Sequence, residues 1–159
     1  MTSELKVVRS SELPWKDSLK KGKYEQRRKA LGGAQLTCGL WELPPGKKSF
    51  PLHVHHVTEE ALYVISGRAR VRTPDGETPI GPGDYVSFPP GGPAHQLVND
   101  GAEPLVYLGM SASKGVDVVE YPESNKVAAS VGAPPAGKRY IFKQDTQAEY
   151  FDGEADAQG

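Results

Sequence analysis

Gly46-Lys47-Lys48-Ser49-Phe50-Pro51-Leu52-His53-Val54-His55-His56-Val57-Thr58-Glu59-Glu60-Ala61-Leu62-Tyr63-Val64-Ile65-Ser66-Gly67 is the stretch that decides how this chain is read. Two short apolar runs lie between its glycines, which predicts strands near 51–56 and 60–65. His53 and His55 stand two apart, so on a strand both side chains leave the same face. Glu60 follows five residues after His55, at the start of the next strand. Two neighbouring strands can then present two imidazoles and a carboxylate to one point. The chain has 4 histidines, His53, His55, His56 and His95, and all fall in the strand-rich region 35–121. Histidines used only for packing would be more scattered.

The same texture continues on both sides. Short apolar and β-branched runs predict further strands near 36–43, 68–73, 77–80, 84–88, 94–99, 104–110 and 116–121. Pro44-Pro45-Gly46, Ser66-Gly67, Gly81-Pro82-Gly83-Asp84 and Pro89-Pro90-Gly91-Gly92-Pro93 break them. Asp75-Gly76 and Asp100-Gly101 are hairpin signals. Many short strands with frequent turns predict an all-β sandwich or barrel, and no long helical pattern interrupts them. Residues 35–121 form the expected domain, with extensions at 1–34 and 122–159. In the first extension, Lys20–Leu31 is expected as a short helix ended by Gly32-Gly33. In the second, 122–139 reads as loop, Tyr140–Lys143 as a short strand, and the acidic last residues as a frayed tail.

With 159 residues, 19 Lys+Arg against 20 Asp+Glu and a net charge of -1, the composition fits one domain that is not a general nucleic-acid or membrane-surface binder. Gly 18 and Pro 14 suit a turn-rich β protein. A lone cysteine, Cys38, excludes an internal disulfide and favours a reducing compartment. No apolar leader or long apolar run is seen, so the expected location is the cytoplasm.

His95 lies 35 residues after Glu60, behind the Pro/Gly turn, and a closed barrel can return it to the same interior point. Imidazole with one carboxylate suits a divalent transition metal: Fe, Mn, Zn, Ni, Co or Cu. Three His and one Glu leave open coordination positions, which a catalytic metal needs and a structural metal lacks.

The segment Gly46 to Gly67 resembles the first motif of the cupin superfamily: Gly, spacer, His-x-His, Glu, six residues, Gly. That final spacing selects Glu60 over Glu59. Gly83-Asp84-Tyr85-Val86-Ser87-Phe88-Pro89-Pro90-Gly91 with His95 and Asn99 resembles the second motif. Two spacers depart from the usual pattern by one residue: the one before His53, and the one between Gly91 and His95. Arg28-Lys29-Ala30-Leu31-Gly32-Gly33-Ala34-Gln35 and Asp117-Val118-Val119-Glu120-Tyr121-Pro122 are similar to a bacterial cupin-2-type subgroup, some members of which are described as candidate sugar-phosphate isomerases. The resemblance implies a double-stranded β-helix (jelly-roll) barrel and a homodimer. It also implies metal ligation by His53, His55, Glu60 and His95.

The function expected is that of a metal-dependent enzyme of isomerase, decarboxylase or dioxygenase type acting on a small oxygenated or acidic metabolite. A non-catalytic metal- and ligand-binding cupin is the alternative. Trp41, Leu62, Val64, Phe88, Leu97 and Tyr107 are the expected walls of an apolar pocket. No catalytic acid or base is assigned, and Glu42 is weighed without a side. Lys47, Lys48, Ser49 and Arg70 are available for phosphate. His56, Tyr63 and the row Arg68, Arg70, Arg72 are expected outside the barrel. Asn99 is expected as a turn residue and Cys38 as a small buried one.

Overall fold

The computed structural model describes residues 5–33, 35–112, 115–132 and 137–155. Strands dominate, as Gly/Pro punctuation between β-branched runs requires. The first layer is a six-stranded antiparallel sheet. Its strands are β1 (Lys16–Lys21), β2 (Tyr24–Gly32), β3 (Leu36–Leu43), β5 (Glu59–Ser66), β8 (Tyr85–Phe88) and β10 (Leu105–Ala112). Their order is β1-β2-β3-β10-β5-β8. The second layer has two pieces. One is β7-β6-β9, from β6 (Ala69–Thr73), β7 (Gly76–Ile80) and β9 (Gln96–Val98). The other is β13-β12-β11-β4, from β4 (Val54–His55), β11 (Val116–Tyr121), β12 (Lys126–Val131) and β13 (Lys138–Lys143). Bridges His53↔His95 and Lys48↔Val98 tie the two pieces together along the segment before β4. This is the jelly-roll barrel.

The core lies between the layers. Leu43, Leu62, Val64, Ala69, Val71, Ile80, Leu97, Leu105 and Tyr107 form one buried cluster, with Trp41, Val86 and Phe88 packed against it. Leu43, Val64 and Leu105 expose nothing; burying a side chain of this size contributes about 1.5–3 kcal/mol. Strand alternation selects these residues. On β5, Leu62 and Val64 face in while Tyr63 and Ile65 face out. Gly67 turns the chain after β5 with φ 80°, and a Cβ there would stand 2.1 Å from the Pro104 carbonyl oxygen. Only glycine fits such a corner.

Two expectations from the sequence are corrected. Lys20–Leu31 is not a helix but most of a β-hairpin, with β2 continuing the main sheet against β3. Gly22, at φ 61°, opens its two-residue turn between the paired Lys21 and Tyr24. The stretch from 122 is not all loop: after a 3-10 turn at Pro122–Ser124 and Asn125 in the left-handed region, β12 pairs with both β11 and β13. Both extensions thus add strands to the barrel's sheets. The frayed tail was expected partly on 156–159, which lie outside the described residues.

Candidate metal centre

The centre is built where the first layer meets the second. His53 and His95 face each other across an antiparallel bridge: His53 N donates to His95 O at 3.3 Å, and His95 N donates to His53 O at 2.8 Å. Their rings stand 4.7 Å apart. His55 belongs to β4 and pairs with Val119 of β11. Gly91 N donates to His55 O at 2.8 Å, pinning the Pro/Gly turn beneath β4. Pro93 and Ala94 then lead into His95, and the extra residue of this turn is absorbed before the bridge. Glu60 enters from the start of β5, opposite Phe88 and Ser111.

Three imidazole nitrogens converge on one oxygen. Glu60 Oε2 lies 3.3 Å from His55 Nε2, 3.4 Å from His95 Nε2 and 3.7 Å from His53 Nε2. Ligands held about 2.1 Å from a common ion stand roughly 3.0–3.4 Å apart, a range that the His55 and His95 distances meet and the His53 distance exceeds. The other face of each ring is also engaged. His53 Nδ1 donates to the Pro51 carbonyl at 2.8 Å, and His95 Nδ1 lies 3.4 Å from that of Pro93. His55 Nδ1 donates to Asp117 Oδ2. Protons held at Nδ1 leave bare lone pairs at Nε2, all aimed at a carboxylate that can only accept. With all three rings neutral the set lacks a donor at its centre, which a cation could supply. His53, Glu60 and His95 together can hold a metal ion, and His55 turns its Nε2 to the same oxygen.

Burial pushes the Glu60 carboxyl up, but where the rings carry a second proton, at Nε2, the hydrogen bonds from His53 and His95 and the charges of His55 and His53 outweigh it and hold the carboxyl well below the usual carboxylate range. Asp117 is likewise held down: burial opposes ionisation, and the hydrogen bond and charge of His55 with the Thr58 bonds overcome it. Tyr107 is driven the other way, by burial first and then by the charge of Glu60.

A cavity of ≈ 290 Å³ opens beside these ligands. Trp41, Leu62, Phe88, Leu97 and Tyr107 line it together with His53, Glu60 and His95. Val64 is fully buried in the core instead, because two residues along β5 from Leu62 carry it about 6.8 Å further from Glu60. Phe88 stacks on His95 at 3.8 Å between ring centres, and Trp41 stacks on Tyr107 at 6.3 Å. Gly39 and Gly109, paired across β3 and β10, leave the room that the Trp41 indole fills.

The remaining sequence candidates sort by face. Glu42 lies on the opposite side of β3 from Trp41 and takes a two-pronged contact from Arg27 at 2.7 and 3.1 Å. His56 pairs with Glu120 at the surface. Arg70 is bound to Glu77 and Asp100, Arg72 to Glu123, and Lys47 to Glu25. Ser49 reaches the cavity wall, and its hydroxyl accepts from Leu97 N at 2.9 Å. Asn99 is buried and clamps a turn through the Leu43 and Glu103 carbonyls. Cys38 is half-buried, and burial raises its thiol pKa, which disfavours a thiolate. Tyr63 is 43% exposed on the outer face of β5.

Asp117 and Arg28 were missed as site residues. Asp117 is only 8% exposed, and its signal was a carboxylate set in the β-branched run Val116–Tyr121. Arg28 lines the cavity from β2, hidden in the sequence by the helical reading of that segment.

The family described as Cupin domain matches residues 39–111. The chain carries a cupin domain. Among solved structures, this cupin is similar to a candidate sugar phosphate isomerase from Acidithiobacillus ferrooxidans, at 27% identity and TM-score 0.76, covering 90% of this chain and 95% of that one. It shares the fold of a sugar phosphate isomerase of the cupin superfamily from Silicibacter pomeroyi, at 23% identity and TM-score 0.77, covering 92% and 98%. A predicted oxalate decarboxylase from Thermotoga maritima matches at 26% identity and TM-score 0.60, over 67% of this cupin and 98% of its own chain. No curated protein matches significantly. Among the described residues no helix is long and apolar enough to cross a membrane.

Proposed function

We propose that His53, His55, Glu60 and His95 bind one divalent transition metal, and that this cupin uses it as an enzyme acting on a small oxygenated or acidic metabolite in the cytoplasm. The observation that carries this reading is the convergence of three Nε2 atoms on Glu60 Oε2 beside a cavity. When bound, the metal supplies Lewis acidity toward a substrate oxygen, as isomerisation and decarboxylation both require. The chain's own residues orient the site. Asp117 and the Pro51 and Pro93 carbonyls set the ring planes, while Trp41, Leu62, Phe88 and Tyr107 exclude water. The similarity to a candidate sugar phosphate isomerase and to a predicted oxalate decarboxylase supports the same substrate range.

A second reading, a binding protein without turnover, is favoured by one observation. Apart from the proposed ligands, no Asp, Glu, His or Lys is among the described residues lining the cavity, so a separate general base is not in place. Elemental analysis of untagged protein, followed by identification of co-purifying metabolites, tests both. About one equivalent of metal and conversion of the captured metabolite support the enzyme. Stoichiometric metal with no conversion selects the binding protein, and no metal refutes both.

We also propose a homodimer. The outer strand β13 carries Tyr140, Ile141 and Phe142 exposed on its two faces, and a monomeric mass in light scattering would refute it.

A further inference from the structure

The hairpin β1–β2 brings a cation to the cavity that the rest of the barrel does not supply. The register of β2 on β3 sets Arg27 opposite Glu42 and Arg28 opposite Trp41. Neighbouring residues on a strand point to opposite faces. Arg27 therefore meets its carboxylate on the outside, and Arg28 lies on the cavity side. Its guanidinium stands over the Trp41 ring, 5.3 Å from the centroid. Trp41 in turn stacks on Tyr107, so guanidinium, indole and phenol form one ladder along the wall. Gln26, two residues back on the same face, is buried and accepts a hydrogen bond from the Tyr107 hydroxyl at 3.1 Å. That contact anchors the hairpin to the barrel floor and fixes where Arg28 can reach.

Arg28 is exposed at the mouth of the cavity and has no carboxylate partner among the described residues. Arg9, Arg27, Arg70 and Arg72 each sit within ion-pair distance of a carboxylate. Among the described residues Arg28 is the only Arg or Lys lining the cavity. Its stack on Trp41 occupies a ring face and leaves the N–H edge free for an anion, and a guanidinium binds carboxylate or phosphate oxygens in pairs. The cavity, at ≈ 290 Å³, is at the low end of small-molecule sites, which span roughly 300–1,000 Å³.

We propose that Arg28 is the anion-binding group of this site, so that the ligand is a small molecule with an oxygen donor at one end and a carboxylate or phosphate at the other. This deepens the proposed function and rests on it for the metal end only.

The test uses matched probes that keep one 2-hydroxy acid end and differ by the remote anion: glycerate against 3-phosphoglycerate, and lactate against malate. Binding to the Zn(II)-loaded protein is followed by the fluorescence of Trp41 in a Trp15→Phe background, which leaves one tryptophan of the 2. In at least one pair the extended probe should bind about ten- to a hundredfold tighter, the range of a charge-assisted contact; the pair that responds tells phosphate from carboxylate. Arg28→Gln should abolish that preference while metal content stays at the parent level, and Arg28→Lys should retain part of it. The proposal is overturned if neither pair discriminates, or if the preference survives in Arg28→Gln. Metal content, measured separately, reports on the other reading. If the parent holds no metal, the same titrations on the metal-free protein decide: an Arg28-dependent response to the extended probe upholds the anion site, and no response overturns it.

Discussion

Replacing Asp117 by Asn changes one atom and should cost the centre most of its metal affinity. The carboxylate makes three contacts. Oδ1 accepts from Val57 N at 3.1 Å and Thr58 N at 3.3 Å, and Oδ2 accepts from His55 Nδ1. An amide cannot make all three. Turned one way, it keeps both backbone bonds and offers an NH₂ group to His55. Turned the other way, it keeps His55 and sets its NH₂ against two backbone donors, each costing about 1–3 kcal/mol when orphaned. The first orientation therefore wins. His55 then does best as the other tautomer, accepting at Nδ1 and carrying its proton on Nε2, where Glu60 Oε2 at 3.3 Å can accept it. That hydrogen bond satisfies the metal-free site and occupies the lone pair a metal needs. Loss of a partner that orients a ligand typically costs 10–100-fold in metal affinity, about 1.4–2.8 kcal/mol. Competition of Zn(II) against a chromogenic chelator at neutral pH measures it. The metal-free melting temperature should stay within a few degrees of the parent, because one hydrogen bond replaces another. An Asp117→Asn protein that binds Zn(II) within twofold of the parent would show that Asp117 does not set the His55 tautomer.

His53→Ala and His95→Ala should each remove most of the metal while leaving a folded barrel, since the apolar core is separate from the ligands; full metal retention in His95→Ala would leave a centre of two His and one carboxylate. Glu60 and Asp117 are both held below the usual carboxylate range, so each contributes stability that is present above the unfolded value of about 4 and is lost as pH falls through the folded value. The urea midpoint of the metal-free protein should therefore drop below about pH 4, and a Glu60→Gln protein should show a shallower drop; identical acid profiles would contradict the assignment. Gly109→Ala would set a Cβ 2.7 Å from Trp41 Nε1, which forces the indole off Tyr107 and should lower stability by about 1–3 kcal/mol; an unchanged melting curve and Trp fluorescence would refute that packing.

Much of the barrel, and the grouping of His53, His55 and Glu60, was legible because the information is local, whereas His95, 35 residues on, needed the closed barrel. A strand's period of two places His53 and His55 on one side, and Gly/Pro clusters end strands wherever the chain must turn. Glu60, Leu62 and Val64 follow the same alternation along β5. The hairpin at Lys16–Gly32 was not legible. Its strand β2 is polar on both faces: Glu25, Arg27 and Lys29 meet polar or aromatic partners outside, while Gln26 is buried against Tyr107 and the exposed Arg28 stands over Trp41. A hydrophobic period cannot appear where hydrogen bonding and ring stacking do the burying. The strand β12 was hidden for a simpler reason, since its Ala128, Ala129 and Ser130 carry little β signal.

The sequence by itself determined the all-β class, most of the turns between 35 and 121 and the His and Glu side chains that could ligate a metal, largely from neighbours a few positions apart. The tertiary structure alone decided which groups complete the site. Asp117 stands 62 residues from His55, and Gln26 stands 81 from Tyr107. Only the closure of the two layers brings them into hydrogen-bond range. Arg28 is one basic residue in a basic run until β2 pairs with β3. That register sends Arg27 outward to Glu42 and leaves Arg28 over Trp41, at the wall of the cavity.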